Sequence, residues 1–284
     1  MLAFMAGAGY RIPVGTSVSL TPMRPPLQAA VEARSLALLT GAPVTAGFGA
    51  ATPEFVAYVR GEPYRRPAVA VRDYLLGVRA FLDSANPVLP PLGDRAGDPA
   101  VGPARRVEVE LGAGVLRRGM ARAAGESADV AITWMTPPDY VKGTIAPALR
   151  EGAGDGRPPP RITTVVHVAI ARPGRDAAHL AYAAAQGHLR SPHYADMLRR
   201  AGCDVDPRDP GSGARRLVDS GIFVFGTPEQ IMAALHEYER AGVDEVVLNA
   251  AGVHVTEGCQ AAVEDAAEIL EASRAVRAAG AAVT

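Results

Sequence analysis

Gly15-Thr16-Ser17-Val18 closes the apolar run Ile12-Pro13-Val14 and stands just ahead of Leu20-Thr21-Pro22. A β-branched run that ends in small residues, then prolines, then a long helical pattern, reads as a strand opening into a βα loop. In parallel α/β proteins that end of a strand is where ligands gather. The strand reads as Ile12 to Leu20. The helix after it, Leu27 to Leu39, spaces Ala29, Ala30, Ala33, Leu36 and Ala37 for one face and stops at Gly41.

The alternation continues along the chain. Val44 to Gly49 reads as a strand, Thr52 to Arg66 as a polar loop, and Pro67 precedes a helix through Val69, Leu75, Val78 and Leu82. Pro87 to Pro103 is dominated by Pro, Gly and Asp and reads as a surface insertion in one domain that spans residues 1–284. Val107 to Leu111 is a short strand into Gly112-Ala113-Gly114, followed by a helix from Val115 to Ala124. Val130 to Trp134 is a strand, and Thr136-Pro137-Pro138-Asp139 opens a helix through Leu149. Arg161 to Ala171 is apolar without interruption, as in a parallel strand buried on both faces. Ala177 to Leu198 is helical with a break at Ser191-Pro192. Thr227-Pro228-Glu229 combines an N-cap, a first-turn proline and an early acid, and opens the helix Gln230 to Ala241. Asp244 to Asn249 is the last strand and Cys259 to Ala278 the last helix.

Repeated βα order without hairpin signals specifies a parallel sheet. No GxGxxG follows the first strand and no GxxxxGK[ST] is present; glycine pairs recur at several strand ends instead. Distributed strand-end sites are those of a TIM barrel, although the count of about six strands is two short of eight.

Composition narrows the function classes. A chain of 284 residues, 48% hydrophobic, buries a substantial core. A formal net charge of −1 with scattered arginines excludes a phosphate-backbone footprint, so no nucleic-acid partner is expected. Cys203 and Cys259 lack any metal-ligand or CxxC spacing, so no zinc site is expected and a reducing cytoplasm fits. The apolar start is too short to span a bilayer and has no basic residue ahead of it, so neither signal peptide nor anchor is expected. Met1 to Ala6 has helical composition but no cap residue before it.

Gly15 to Val18, the Pro25-Pro26 helix entry, Leu27 to Leu39 and Val44-Thr45-Ala46-Gly47-Phe48-Gly49 together resemble the core of the luciferase-like monooxygenase superfamily. Among its members the chain is most similar to actinobacterial oxidoreductases that use the deazaflavin coenzyme F420. The resemblance runs to about Gly252 and includes Pro147 to Ala153 and Gly226-Thr227-Pro228-Glu229. It implies a TIM-barrel-like (β/α)8 fold of the luciferase type, here lacking the family's first two βα units. It also implies a cytoplasmic enzyme that acts on a small molecule, commonly as a homodimer or other homo-oligomer. Reduced F420 would exchange hydride with that substrate; an FMN-dependent monooxygenase using oxygen is the alternative, and a non-catalytic barrel-like binding protein a third.

Residue by residue, the resemblance places Thr16, Ser17 and Val18 at a bulge behind the central cofactor ring, with a cis Ser17-Val18 bond and the valine pressing on one ring face. Gly47 and Gly49 end the next strand, where relatives follow with a polar or acidic residue; this chain has Ala50 and Ala51 instead, which leaves Thr52 or Glu54 for that role. Gly112, Ala113 and Gly114 match a loop that holds the cofactor phosphate at a helix N-terminus, with Arg117 and Arg118 adding charge. Thr133 and Trp134 stand at a strand's carboxyl end and suit a cofactor or substrate pocket. His193 and Tyr194 follow Pro192 and would reach the barrel mouth or pack on the surface. The bland readings are turn glycines, a solvated Glu54, and a His167 that is a core histidine with its hydrogen bonds satisfied.

Overall fold

The structure is a computed structural model and describes residues 1–83 and 107–281; the insertion read at Pro87 to Pro103 lies outside them. Two compact units divide the chain: Met1–Val115 with Gly119–Ile132 and Ala148–Pro160, and Leu116–Arg118 with Thr133–Pro147 and Arg161–Thr284.

The first unit begins with α1 (Leu2–Gly7), followed by β1 (Val14–Gly15) and β2 (Ser19–Leu20), which flank Thr16-Ser17-Val18. The single strand read over Ile12 to Leu20 is therefore two short pieces. Both pair in parallel with β3 (Val44–Gly49), β1 at its start and β2 at its end, because the bulge takes the residues between them out of register. Between them and β3 lies α2 (Pro26–Thr40), which ends on Gly41 in the left-handed region at φ 61°. The loop read after β3 contains α3 (Pro53–Arg60), capped by the Thr52 hydroxyl accepting from Phe55 N–H at 3.3 Å. Then come α4 (Pro67–Leu82), β4 (Val109–Gly114), α5 (Arg118–Ser127) and β5 (Val130–Trp134), whose first three residues belong to this unit.

β3 pairs with β4 and β4 with β5, all in parallel. Side chains alternate across a strand. Phe48 faces the helices, where its ring lies 5.1 Å from that of Tyr74 on α4. Leu111, Ala113, Val71, Leu75 and Val78 are buried in the same layer.

In the second unit a short α6 (Pro138–Tyr140) runs through a π-helical turn, Val141–Ile145, into α7 (Ala146–Ala153), of which the unit holds the start. Then follow β6 (Arg161–Ile170), α8 (Ala177–Leu189), α9 (Pro192–Arg200), α10 (Pro210–Asp219), β7 (Phe223–Gly226), α11 (Pro228–Arg240), β8 (Glu245–Asn249), α12 (Ala251–Glu257) and α13 (Cys259–Ala281). The expected helix break at Ser191-Pro192 separates α8 from α9. The Thr227 cap closes a full capping box with Gln230.

β6 is paired in parallel with β7 along its end, His167 to Ile170, and with β8 along Thr163 to His167. β7 leaves no trace in the sequence pattern, since Phe223-Val224-Phe225 is too short to show a period. With the split first strand it explains why there are eight strand segments among the described residues where sequence reading gives about six. Asp265 on α13 is fully buried, accepts from Ile170 N–H at 2.9 Å and pairs with Arg172 and Arg175 at 3.0 and 2.6 Å. That network ties the end of β6 to the last helix.

Candidate functional site

In the first unit the face of β3 and β4 opposite the helices carries glycine at four positions: Gly47, Gly49, Gly112 and Gly114. Their missing side chains fall in two tiers. A Cβ on Gly47 would meet the Thr16 carbonyl oxygen at 2.1 Å and Ile132 Cδ1 at 2.5 Å; one on Gly112 would meet Ile132 Cδ1 at 2.7 Å and Gly47 Cα at 3.0 Å. In the second tier a Cβ on Gly49 would lie 2.7 Å, and one on Gly114 3.3 Å, from Val18 Cγ2. Glycine here is a requirement of close approach, not of turn geometry.

The bulge is fastened to this face. Thr16 Oγ1 donates to the Gly47 carbonyl at 2.9 Å and accepts from Gly47 N–H at 3.0 Å, and the Ser17-Val18 peptide is cis. Ser17 is exposed, and Thr16 and Val18 are half-buried. The structure thus brings Thr16, Val18, Gly47, Gly49, Gly112 and Gly114 together.

Ala113 is not with them. It alternates to the opposite face, fully buried beside Phe48, its register partner in β3. The reading of Gly112-Ala113-Gly114 as a loop at a helix N-terminus is also corrected. These residues are the last of β4, held in its ladder to β5, and α5 starts only at Arg118, so their N–H groups do not open a helix. Thr52 and Glu54 belong to the first turn of α3, Thr52 as its cap and Glu54 exposed in the position that favours an acid. Ala51, just ahead, has φ 65°, left-handed for a residue that carries a Cβ.

In the second unit Trp134 is the hub. Its indole N–H donates to His167 Nε2 at 3.3 Å, its ring stacks on His188 at 5.4 Å, and Tyr194 meets His188 edge-on at 4.7 Å. On its other side His167 lies parallel to Phe223 at 6.3 Å. Met135, immediately after the tryptophan, is buried with φ 52°, so the chain turns left-handed directly after β5. Thr133 does not join this group. It faces the other way, fully buried, and donates to Thr164 Oγ1 at 2.8 Å. His193 is bound locally, its Nδ1 2.8 Å from Ser191 Oγ, with its ring 5.1 Å from that of Tyr194. Arg117 pairs with Asp196 of α9 at 3.0 Å.

Burial governs the protonation of this cluster. It pushes His167 down from 6.5 to about 4, and it lowers His188, each histidine also lowered by a histidine neighbour. Burial raises the Tyr194 phenol. At neutral pH Trp134, His167, His188 and Tyr194 thus form an uncharged set of rings. His167 is 1% exposed, but it is not the satisfied core histidine that the sequence suggests: its Nδ1 is buried without a hydrogen-bond partner among the described residues. Sequence reading misses His188 as the stacking partner of Trp134 and Tyr194 as the partner of His188, because only the fold brings these distant positions together.

No group of three or more His, Cys, Asp or Glu among the described residues is placed to hold a metal ion, and no described helix is long and apolar enough to cross a membrane.

The model of the family described as luciferase-like monooxygenase matches residues 1–245. The chain belongs to that family. Its α/β fold is accordingly of the TIM-barrel type, with every pairing described above parallel. No curated protein matches the chain by sequence. Among solved structures it is similar to a coenzyme F420 dependent tetrahydromethanopterin reductase from Methanopyrus kandleri, with 19% identity, TM-score 0.65, and 95% of this chain and 84% of that one covered. It is also similar to an F420-dependent secondary alcohol dehydrogenase in complex with an F420-acetone adduct, at 19% identity and TM-score 0.57, covering 87% and 78% of the two chains. A third is the oxygenating constituent of 3,6-diketocamphane monooxygenase from Pseudomonas putida, a type II Baeyer-Villiger monooxygenase in complex with FMN. It shares 17% identity at TM-score 0.62, covering 92% and 82%. At these identities the likeness is one of fold. As a member of this family the chain is an oxidoreductase of the luciferase-like type.

Proposed function

We propose that this luciferase-like protein is a coenzyme F420-dependent oxidoreductase that moves hydride to or from a small organic substrate. The observation that carries the reading is the two-tiered glycine face of β3 and β4 with Val18 against its upper tier. The four glycines let the bulge and the Ile132 methyl pack directly on the strand backbone, so half-buried Val18 is seated on this face and offers an apolar contact to one face of a flat ring. When bound, F420 would supply the hydride chemistry; the protein's part is position and electrostatics.

Thr16 fixes the bulge through its paired bonds to Gly47, so Val18 is presented from a held backbone. In the second unit the uncharged Trp134 cluster suits the lining of a pocket for a neutral substrate, since no member has to be desolvated as an ion. Similarity to two F420-dependent enzymes supports the deazaflavin, and similarity to an FMN-bound monooxygenase defines the competitor.

The test is a titration of the purified protein with oxidised F420 and, separately, FMN, followed by absorbance, and then oxygen uptake with each reduced cofactor. Tight F420 binding without oxygen uptake is expected. Oxygen consumption with reduced FMN would overturn the preference.

A further inference from the structure

The indole N–H of Trp134 can only donate. Its bond to His167 Nε2 therefore makes that nitrogen the acceptor, and in a neutral imidazole the proton then sits on Nδ1. Burial keeps the ring neutral. His167 consequently presents an N–H at Nδ1 that is closed off from water and has no partner among the described residues. A buried donor left unmade is costly, and native structures rarely keep one without a use. Phe223 cannot satisfy it: the two rings lie nearly parallel, 17° apart, so the in-plane N–H does not point at the phenyl face.

We propose that His167 is a ligand-directed hydrogen-bond donor whose Nδ1–H is completed by the carbonyl oxygen of a compound bound against Trp134. The assignment rests on the reading of the Trp134 cluster as pocket lining. A carbonyl fits because it accepts without carrying a charge into an uncharged, desolvated group of rings. His167 binds and orients that oxygen, and its Nε2, occupied by the indole, takes up no proton. Two sources offer such an oxygen: a carbonyl on the cofactor ring and a ketone or aldehyde substrate.

The experiment uses the full chain with ¹⁵N-labelled histidine. Heteronuclear NMR, with His167→Phe to assign the signal among six histidines, reports which nitrogen is protonated in the free protein. The labelled protein then receives oxidised F420, FMN, and cyclohexanone in turn, each also followed by the fluorescence of Trp134, the only tryptophan in the chain. The proposal expects a protonated Nδ1 in the free protein and a shift of that resonance with at least one probe. His167→Phe should weaken that probe roughly tenfold, as for loss of one hydrogen bond. His167→Gln, which can accept from the indole and still donate, should recover part of the loss.

A shift with cyclohexanone alone assigns the donor to substrate, and a shift with F420 or FMN alone assigns it to the cofactor. A shift with FMN in a protein that does not bind F420 supports the donor while removing the F420 reading. A proton on Nε2, or an Nδ1 signal unmoved by all three probes at saturation, overturns the proposal.

Discussion

The side chain of Val18 occupies the space that a side chain on Gly49 would need, with Cγ2 2.7 Å from where a Cβ would stand. Valine and glycine are thus complementary halves of one contact, and the glycine face can be ranked by what each position meets. Gly47→Ala drives a methyl into the Thr16 carbonyl, a backbone atom, and should destabilise by about 1–3 kcal/mol or more. Gly49→Ala meets only the tip of Val18 and should displace it. Gly114→Ala, with its nearest contact at 3.3 Å, should leave stability almost unchanged, helped by the lower entropy of the unfolded chain. Gly114→Leu should weaken cofactor binding while helical content is preserved. Urea melts and cofactor titrations of the set give the order, and equal effects at all positions would contradict it.

Val18→Ala removes the apolar contact offered to the ring and leaves the Thr16 bonds intact. If Val18 shapes the ring rather than holds it, kcat falls about tenfold while cofactor Kd changes less than about threefold. Parallel losses in both would make Val18 a packing residue.

Acid should loosen the second unit through His167. Its folded pKa of about 4 lies below the unfolded value of 6.5, so between these pH values the unfolded chain binds a proton that the folded chain does not. Stability is full above pH 6.5 and is lost as pH falls toward 4, by roughly 3 kcal/mol for this one group. His188, also lowered, adds in the same direction. Chemical denaturation at a series of pH values from 7 to 4.5 measures the slope, and His167→Phe should flatten it.

Arg175 is 5% exposed and has Asp265, fully buried, as one of its two carboxylate partners. Asp265→Asn removes the charge between Arg172 and Arg175 and should cost about 3–5 kcal/mol, the usual penalty for stranding a buried ion. The readout is the denaturation midpoint. A loss below 1 kcal/mol would mean that Glu257, which pairs with Arg175, and Glu268, which pairs with Arg172, hold the two arginines unaided.

Helix α2 is inverted: Ala29, Ala30, Ala33 and Ala37 are buried while Leu27, Val31 and Leu38 line an exposed stripe at 36%, 55% and 48%. A stripe of that kind is covered when chains associate. Light scattering at micromolar concentration should give a mass above 29.5 kDa, and Val31→Glu with Leu38→Glu should reduce it. A parent protein that runs as a monomer refutes the expectation.

The parallel α/β class and most elements were legible because βα repetition leaves a periodic trace. The strand-end glycines were legible too, since glycine inside a strand marks close approach. Their faces were not: Gly112-Ala113-Gly114 reads as a loop by composition, and only its place in a ladder shows that Ala113 points the other way. The same holds for Thr133 beside Trp134. α3 was legible in principle, as Thr52-Pro53-Glu54 repeats the signature that located α11 at Thr227-Pro228-Glu229, but the Tyr- and Arg-rich stretch after it obscured the helix. His188 could not be placed beside Trp134, nor Tyr194 against His188, because sequence separation carries no information on stacking.

The single δ-methyl of Ile132 fills the room left by both Gly47 and Gly112, at 2.5 and 2.7 Å from their absent side chains. This makes the lower tier a historical lock. Neither glycine can acquire a side chain while that methyl stays where it is, so any lineage that elaborates this floor must turn the tip of Ile132 aside or shorten it, for instance to valine. Even then Gly47 still faces the Thr16 carbonyl, and Gly112 is relieved only in part, because the Gly47 Cα remains 3.0 Å from its absent Cβ. The order of substitutions open to the protein is therefore biased by its packing, and a library that varies Gly112 should tolerate small residues better in a background where position 132 has been shortened.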